Sequence, residues 1–249
     1  MNESESLAVA EAAAVLAGDF LKSNQVDAGS VVADAGRDIK LKEDLASESL
    51  ILEFLKENSD FSILSEERGK VGGASGDYNW IVDPLDGSFN YFRGIQFCCV
   101  SIALFKNNRP VLGVINCFQQ AEIFKGIVGT GAWMNESPIS VSTENDIASS
   151  VLATGLPINL DFSDSALKNY ARSFKDYKKV RMMGSAACSL AYVAAGRLDI
   201  YHEKAISIWD VAAGIALVEA AGGSIRISGY PETNQPDVWA ASSETLMGH

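Results

Sequence analysis

Tyr78-Asn79-Trp80-Ile81-Val82-Asp83-Pro84-Leu85-Asp86-Gly87-Ser88 carries an apolar run straight into an acidic turn. The run from Tyr78 to Val82 is rich in aromatic and β-branched residues and reads as a buried strand. Pro84 stiffens the chain directly after Asp83, and Gly87 lets the backbone approach a ligand closely. Two carboxylates three residues apart on a tight turn can converge on one side, with the Leu85 carbonyl between them. If a helical turn starts near Ser88, the N–H groups of Gly87 and Ser88 face an anion. The same residues also fit an ordinary Pro-Asp-Gly surface turn, so the reading needs support from elsewhere in the chain.

Working outward, Phe61 to Leu64 is a short strand that delivers Glu66 and Glu67 at its end, followed by a glycine-rich loop from Gly69 to Gly76. Upstream, two amphipathic helices are expected, from about Ser6 to Lys22 and from about Asp44 to Asn58. Downstream, Phe97 to Phe105, Pro110 to Phe118 and Glu122 to Ile127 are strand-like, with Asn107-Asn108 as a hairpin turn. The polar segment Val141 to Ser150 marks a lobe boundary, giving an N-terminal lobe of about 1–142 and a C-terminal lobe of about 143–249. Beyond it strands at Val151–Thr154, Lys179–Met182 and Leu198–His202 alternate with helices at Ser163–Phe174, Ser185–Ala195 and Ile208–Ala221. That alternation predicts layered α/β packing. A further helix is expected to begin at Ser243–Met247.

The 249 residues carry 32 acidic and 20 basic side chains, a formal net charge of −12. This balance excludes nucleic acid or an anionic membrane as the main partner, since both require a basic surface. An anionic substrate would be repelled unless a bound cation inverts the local field. Cys98, Cys99, Cys117 and Cys188 contain no C-x-x-C pair, and the adjacent Cys98 and Cys99 point to opposite faces of a strand. All four read as reduced core residues of a cytoplasmic protein. The N-terminus opens with Glu3 and Glu5 rather than a basic segment, and Leu7 to Leu16 is too short to span a bilayer. There is no G-x-S-x-G elbow, no phosphate-binding G-x-x-x-x-G-K-[ST] loop and no H-E-x-x-H. With two histidines only, the abundant ligand is carboxylate, which suits Mg2+ or Mn2+.

Three other acidic elements bear on the turn. Asp210, in Trp209-Asp210-Val211-Ala212-Ala213-Gly214, heads a helix, where a first-turn acid is also an ordinary cap. Glu66-Glu67 ends a strand, and Asp44 heads the second helix; each has an equally plain structural role. Together they resemble the inositol monophosphatase superfamily, the lithium-sensitive magnesium phosphatases. Its first motif is similar to Trp80–Ser88 and its second to Trp209–Gly214. Ser65-Glu66-Glu67, Gly129–Asn135, Gly184-Ser185-Ala186-Ala187 and the run from Ala191 through Asp199 to Glu203 also fit.

The resemblance implies an α/β layered αβαβα sandwich, a single phosphatase domain and a homodimer. It implies one metal on Glu66, Asp83 and the Leu85 carbonyl, and a second on Asp83, Asp86 and Asp210. A third, weaker site draws on Glu66, giving two or three Mg2+ per active site, with Mn2+ able to substitute. Ser88 stands where the family usually has Thr, and Asp44 where an Asp pairs with that hydroxyl to orient water. Here the family's V-T-x-x-D is Leu41-Lys42-Glu43-Asp44, so Glu43 competes for that role. Phosphate would rest on Gly87 and Ser88 beside Asp86 and Asp210; Glu203 and Gly184-Ser185-Ala186 match positions that contact an inositol ring. The implied substrate is a small phosphorylated polyol or sugar, inositol monophosphate first. Fructose 1,6-bisphosphate, other sugar phosphates, histidinol phosphate and adenosine 3′,5′-bisphosphate are alternatives. An interaction protein on a phosphatase fold is the reading of another class.

Overall fold

Asn2 opens the first helix with a capping box: its Oδ1 accepts from the Glu5 N–H and Glu5 Oε2 accepts from the Asn2 N–H, both at 2.9 Å. In the computed structural model this helix, α1, runs from Glu3 to Ser23, three residues earlier than its apolar stripe suggests. The structure describes residues 1–24, 28–35, 38–72, 76–156 and 161–247. A small antiparallel pair, β1 (Val31–Ala35) and β2 (Asp38–Leu41), leads into α2 (Lys42–Asn58).

Eight strands form the first sheet: β3 (Ser62–Ser65), β4 (Gly69–Val71), β5 (Tyr78–Asp86), β6 (Cys99–Lys106), β7 (Arg109–Cys117), β8 (Glu122–Ile127), β9 (Gly131–Met134) and β10 (Ser137–Ile139). Their spatial order is β10-β9-β8-β7-β6-β5-β3-β4, antiparallel except where β3 runs beside β5. The β6–β7 turn falls on Asn107 and Asn108, both at positive φ (50° and 62°), as a two-residue hairpin requires. The expected loop at Gly69–Gly76 is corrected in part. Gly69 turns the chain at φ 65° and residues 69–71 pair with β3 as an edge strand; residues 73–75 lie outside the described residues.

The second sheet holds β11 (Val151–Ala153), β12 (Lys179–Arg181), β13 (Ile200–Glu203), β14 (Ser224–Ser228) and β15 (Asp237–Ala241), in the order β12-β11-β13-β15-β14. Strands β14 and β15 were not legible in the chain; β15 slots antiparallel between β13 and β14. The anticipated helix start at Ser243–Met247 is a single 3-10 turn, Glu244–Leu246.

A short helix, α3 (Ser88–Phe92), follows β5, and helices α5 (Ala186–Ala194) and α6 (Ile208–Ala220) lie between the two sheets. The alternation of side chains along each strand sorts the apolar residues into layers. Ile81, Cys99, Ala103 and Ile115 face α5 and α6, joined from the far side by Ala153, Tyr201 and Ala240. Trp80, Val82, Cys98, Val100 and Val114 face the opposite way, under α1 and α2. Leu152, Ile200 and Ala241 face outward, toward Phe174 and Tyr177 just beyond α4 (Asp164–Arg172). The result is the αβαβα sandwich. Cys98 and Cys99 do sit on opposite faces, and all four cysteines are free and buried. Gly113 on β7 brings α6 down onto the sheet, since a Cβ there would lie 2.3 Å from the Ala213 carbonyl oxygen. No helix among the described residues is long and apolar enough to cross a membrane.

Candidate active site

The acidic turn occupies a bulge. Along β5, Asp83 pairs with Ser101 of β6 and Asp86 with Cys99, so three steps on one strand span two on the other. In a regular strand residues three apart face opposite ways. The extra residue at Pro84-Leu85 cancels that inversion and turns both Asp83 and Asp86 toward α5 and α6. Leu85 packs on the α2 side instead, where Ser47 Oγ donates to the Pro84 carbonyl at 2.8 Å. Pro84 has no N–H to lose from the ladder, so the bulge accepts it.

Glu66 arrives by register. Ser65 of β3 pairs with Val82 of β5, and the Glu66 N–H continues to the Val82 carbonyl at 3.2 Å, one residue from Asp83. Asp210 arrives on the first turn of α6, which also bonds Ser101 Oγ through the Trp209 carbonyl at 3.5 Å. The buried Asp83 carboxyl is driven well above the ordinary carboxylate range by burial and by the charges of Glu66, Asp86 and Asp210. Asp210 is raised likewise by burial and then by Glu66, Asp86 and Glu203, while a hydrogen bond with Asp83 opposes the shift. No basic side chain is among the causes. Burial also pushes Asp86 to about 7, against hydrogen bonds from Ser185 Oγ at 2.5 Å and the Ala187 N–H at 2.7 Å.

Such mutual repulsion among neighbouring oxygen donors is the setting a hard divalent cation relieves. The donor set therefore fits Mg2+ or Mn2+. Among the described residues no three His, Cys, Asp or Glu side chains already close into a ligand shell. Asp86 is turned onto Ser185 and Ala187, and Asp83 Oδ1 accepts from the Leu85 N–H at 3.0 Å. The acids share a cleft.

On the α2 side, Ser88 Oγ lies 2.9 Å from the Leu85 carbonyl oxygen and 3.3 Å from Asp44 Oδ1. Asp44 Oδ2 accepts from the Leu41 N–H at 2.7 Å. Burial, with Glu67 and Glu43 nearby, raises Asp44 to about 7. Glu43 takes a bond from Ser30 Oγ at 3.1 Å, so it is Asp44 that meets Ser88. Gly87 sits at φ 86°, and a Cβ there would lie 3.0 Å from the Phe97 carbonyl oxygen and 3.2 Å from that of Gly184, so only glycine fits.

Opposite the turn, Asp86, Asp210, Gly184, Ser185, Ala186 and Glu203 share the wall of one cavity of about 240 Å³. Glu203 is buried, bonded by the Tyr201 hydroxyl at 2.9 Å, and raised by burial. Two residues escaped the sequence reading. Asn90 Nδ2 clamps the Phe97 and Met183 carbonyls at 2.8 and 2.7 Å, tying the turn to the segment that holds Asp86. Glu48, fully buried, gathers Ser65 Oγ and the Glu67 and Arg68 N–H groups around Glu66. Its only signal in the sequence is its spacing, one helical turn beyond Asp44.

Comparison with known proteins identifies the fold and the family. An inositol monophosphatase from Anabaena (Nostoc) superposes with a TM-score of 0.85 at 35% identity, over 99% of this chain and 94% of that one. An inositol-1-monophosphatase from Synechocystis is 37% identical over 78% of this chain and 69% of its own. A protein named Nus factor SuhB from Xylella fastidiosa is 38% identical over 83% of this chain and 75% of its own. The profile of the inositol monophosphatase family matches residues 2–245, and the chain belongs to that family.

Proposed function

We propose that the chain hydrolyses a small phosphate monoester in a Mg2+-dependent reaction, with inositol monophosphate as the first substrate to test. One observation carries the reading: the carboxyls of Asp83 and Asp210 are both driven up by burial and by the neighbouring charges of Glu66 and Asp86. Glu66, Asp83 and the Leu85 carbonyl would hold one ion, and Asp83, Asp86 and Asp210 a second; a third, weaker site would draw on Glu66. When bound, the ions supply Lewis acidity to the phosphoryl and leaving oxygens and lower the pKa of water.

The chain's own groups supply position. Ser88 and Asp44 orient the attacking water through their hydrogen-bond pair, a contribution of roughly 100-fold. The N–H groups of Gly87 and Ser88 cradle the phosphate beside Asp86 and Asp210. Glu203, already desolvated, accepts hydroxyl bonds from a polyol across the cavity that Gly184, Ser185 and Ala186 line. Fructose bisphosphate, other sugar phosphates, histidinol phosphate and adenosine bisphosphate need the same carboxylates and would be told apart by the loops at 156–165 and 202–207. Of those loops, residues 157–160 lie outside the described residues. The core shared by both sheets supports one domain of two lobes. The acidic balance supports a small-molecule substrate rather than nucleic acid, and a cytoplasmic homodimer is proposed from the family resemblance alone.

A second reading comes from the relatives named Nus factor SuhB: a regulatory or interaction protein on this fold. Exposed Phe89, Ile95 and Met182 offer such a protein apolar contact surface. Retention of all four acids favours the enzyme. The test ranks kcat/KM across inositol phosphates, sugar phosphates, histidinol phosphate and adenosine bisphosphate, with and without Mg2+. Folded Asp210→Asn should lose nearly all Mg2+-dependent turnover. A folded wild type silent on the whole panel, or an Asp210→Asn protein as active as wild type, refutes the proposal.

A further inference from the structure

Three stretches of backbone crowd together at Gly87. The carbonyl oxygens of Phe97 and Gly184 both press on the place where its Cβ would be, at 3.0 and 3.2 Å. Gly87 belongs to the acidic turn, Phe97 to the loop from α3 into β6, and Gly184 to the link between β12 and α5. Among the described residues no backbone hydrogen bond ties Met183 or Gly184 to the other two stretches. Side chains must therefore hold this junction. Ser185 Oγ and the Ala187 N–H anchor the α5 side of the link on Asp86.

Asn90 anchors the other side. Its amide nitrogen has two N–H groups and spends both, on the Phe97 carbonyl at 2.8 Å and the Met183 carbonyl at 2.7 Å. The residue is only 9% exposed. Its amide lies flat against Gly184, where a Cβ would be 3.0 Å from Nδ2 and 3.3 Å from Oδ1, and Gly184 sits at φ 78°. Both targets of the amide are acceptors, so a carboxylate of the same shape cannot replace it. The neighbouring Tyr91 gives α3 a fixed footing, because its hydroxyl donates to the Leu21 carbonyl at the end of α1 at 2.7 Å.

The stretches joined in this way face different parts of a phosphate ester. On the phosphatase reading the Gly87 and Ser88 N–H groups take the phosphate. Gly184, Ser185 and Ala186 line the cavity of about 240 Å³ that takes the alcohol. We infer that Asn90 is a positioning residue: its amide sets the spacing between the phosphate cradle and the Gly184 end of the alcohol wall. Preference among alcohols then depends on Asn90, whereas handling of the phosphate does not. That consequence rests on the phosphatase reading; the clamp itself does not.

Two esters separate the roles: inositol monophosphate, whose alcohol reaches the wall, and methyl phosphate, whose alcohol does not. Asn90→Asp keeps the shape but turns a carboxylate onto two carbonyl oxygens, while Asn90→Ala leaves those carbonyls to water. With Mg2+ present, KM for inositol monophosphate should rise about tenfold or more in Asn90→Asp and about threefold in Asn90→Ala. For methyl phosphate kcat/KM should stay within about twofold in both. A side chain needed only for its volume would give the reverse order, with Asn90→Asp near wild type. Gly184→Ala, which pushes the amide away, should follow Asn90→Ala. A wild-type KM for inositol monophosphate in Asn90→Asp overturns the inference, and so does an equal loss on both esters. Hydrogen exchange of the peptide from Met183 to Ala187 needs no turnover and should quicken about tenfold or more in Asn90→Ala. Unchanged exchange overturns the clamp, even where Asn90→Asp does not fold. Failure of the phosphatase reading would show separately, as a wild type that turns over neither ester while exchange still quickens in Asn90→Ala.

Discussion

Replacing Glu48 with alanine should weaken the fold and, through Glu66, the grip on Mg2+. The buried Glu48 Oε1 accepts from Ser65 Oγ at 2.5 Å, the Arg68 N–H at 3.0 Å and the Glu67 N–H at 3.2 Å. Alanine strands all three donors. The buried Ser65 hydroxyl left without an acceptor costs about 1–3 kcal/mol, and the two part-buried N–H groups about 1 kcal/mol each because water reaches them. The Arg68 Nε–Glu48 Oε2 pair at 3.1 Å adds little, since the Arg68 side chain is 49% exposed. A net loss of about 3–5 kcal/mol follows, which for a chain of this length lowers Tm by roughly 10 °C. Glu48→Gln keeps an acceptor oxygen and should lose only about 1 kcal/mol. Glu66 sits between Ser65 and Glu67, so the Tm gain on adding Mg2+ should also shrink in Glu48→Ala. Differential scanning calorimetry with and without Mg2+ reads both effects. A Glu48→Ala protein melting within about one degree of wild type would sink the reasoning. So would a Glu48→Gln protein that loses as much as the alanine variant.

Mg2+ itself should raise the wild-type Tm. At about 100 times its Kd, binding to the folded state alone contributes about 2.7 kcal/mol, and Na+ at equal ionic strength should not reproduce the shift. Asp44→Asn, which keeps the shape of the side chain but not its charge, should lower kcat by roughly 100-fold with little change in KM. Gly113→Ala should cost about 1–3 kcal/mol by overpacking, because α6 must lift from β7 to clear the Ala213 carbonyl; chemical denaturation measures it. His202 has its pKa lowered by burial and Lys204, with Asp237 opposing. The unfolded chain therefore binds more protons between its ordinary value near 6.5 and the folded value of about 4. Stability from this group is present above the unfolded pKa and is lost as pH falls through that window. Comparing His202→Phe with wild type should show a shallower acid-side slope in the variant.

Local structure and residue chemistry are legible along the chain. The apolar period of α1, α2, α5 and α6, the hairpin at Asn107-Asn108 and the opposed faces of Cys98 and Cys99 follow from side-chain alternation, which each segment carries within itself. The acidic residues at 66, 83, 86 and 210 could be named for the same reason: hard-oxygen chemistry is a property of residue type. Which acids meet depends on how distant strands and helices pack. The bulge at Pro84-Leu85 is a mismatch between two strands, invisible in either alone, and it alone turns Asp83 and Asp86 the same way. Strands β14 and β15 were missed because their pairing is with each other and with β13, far from them along the chain. Glu48 and Asn90 read as ordinary helix residues; their hydrogen bonds run to segments whose proximity the packing of the layers creates. His202 reads as a lone strand-end histidine until Trp239 and α4 enclose it. Residue chemistry is written in the chain one position at a time, whereas register and layer packing join distant positions, and the site lies where those layers meet.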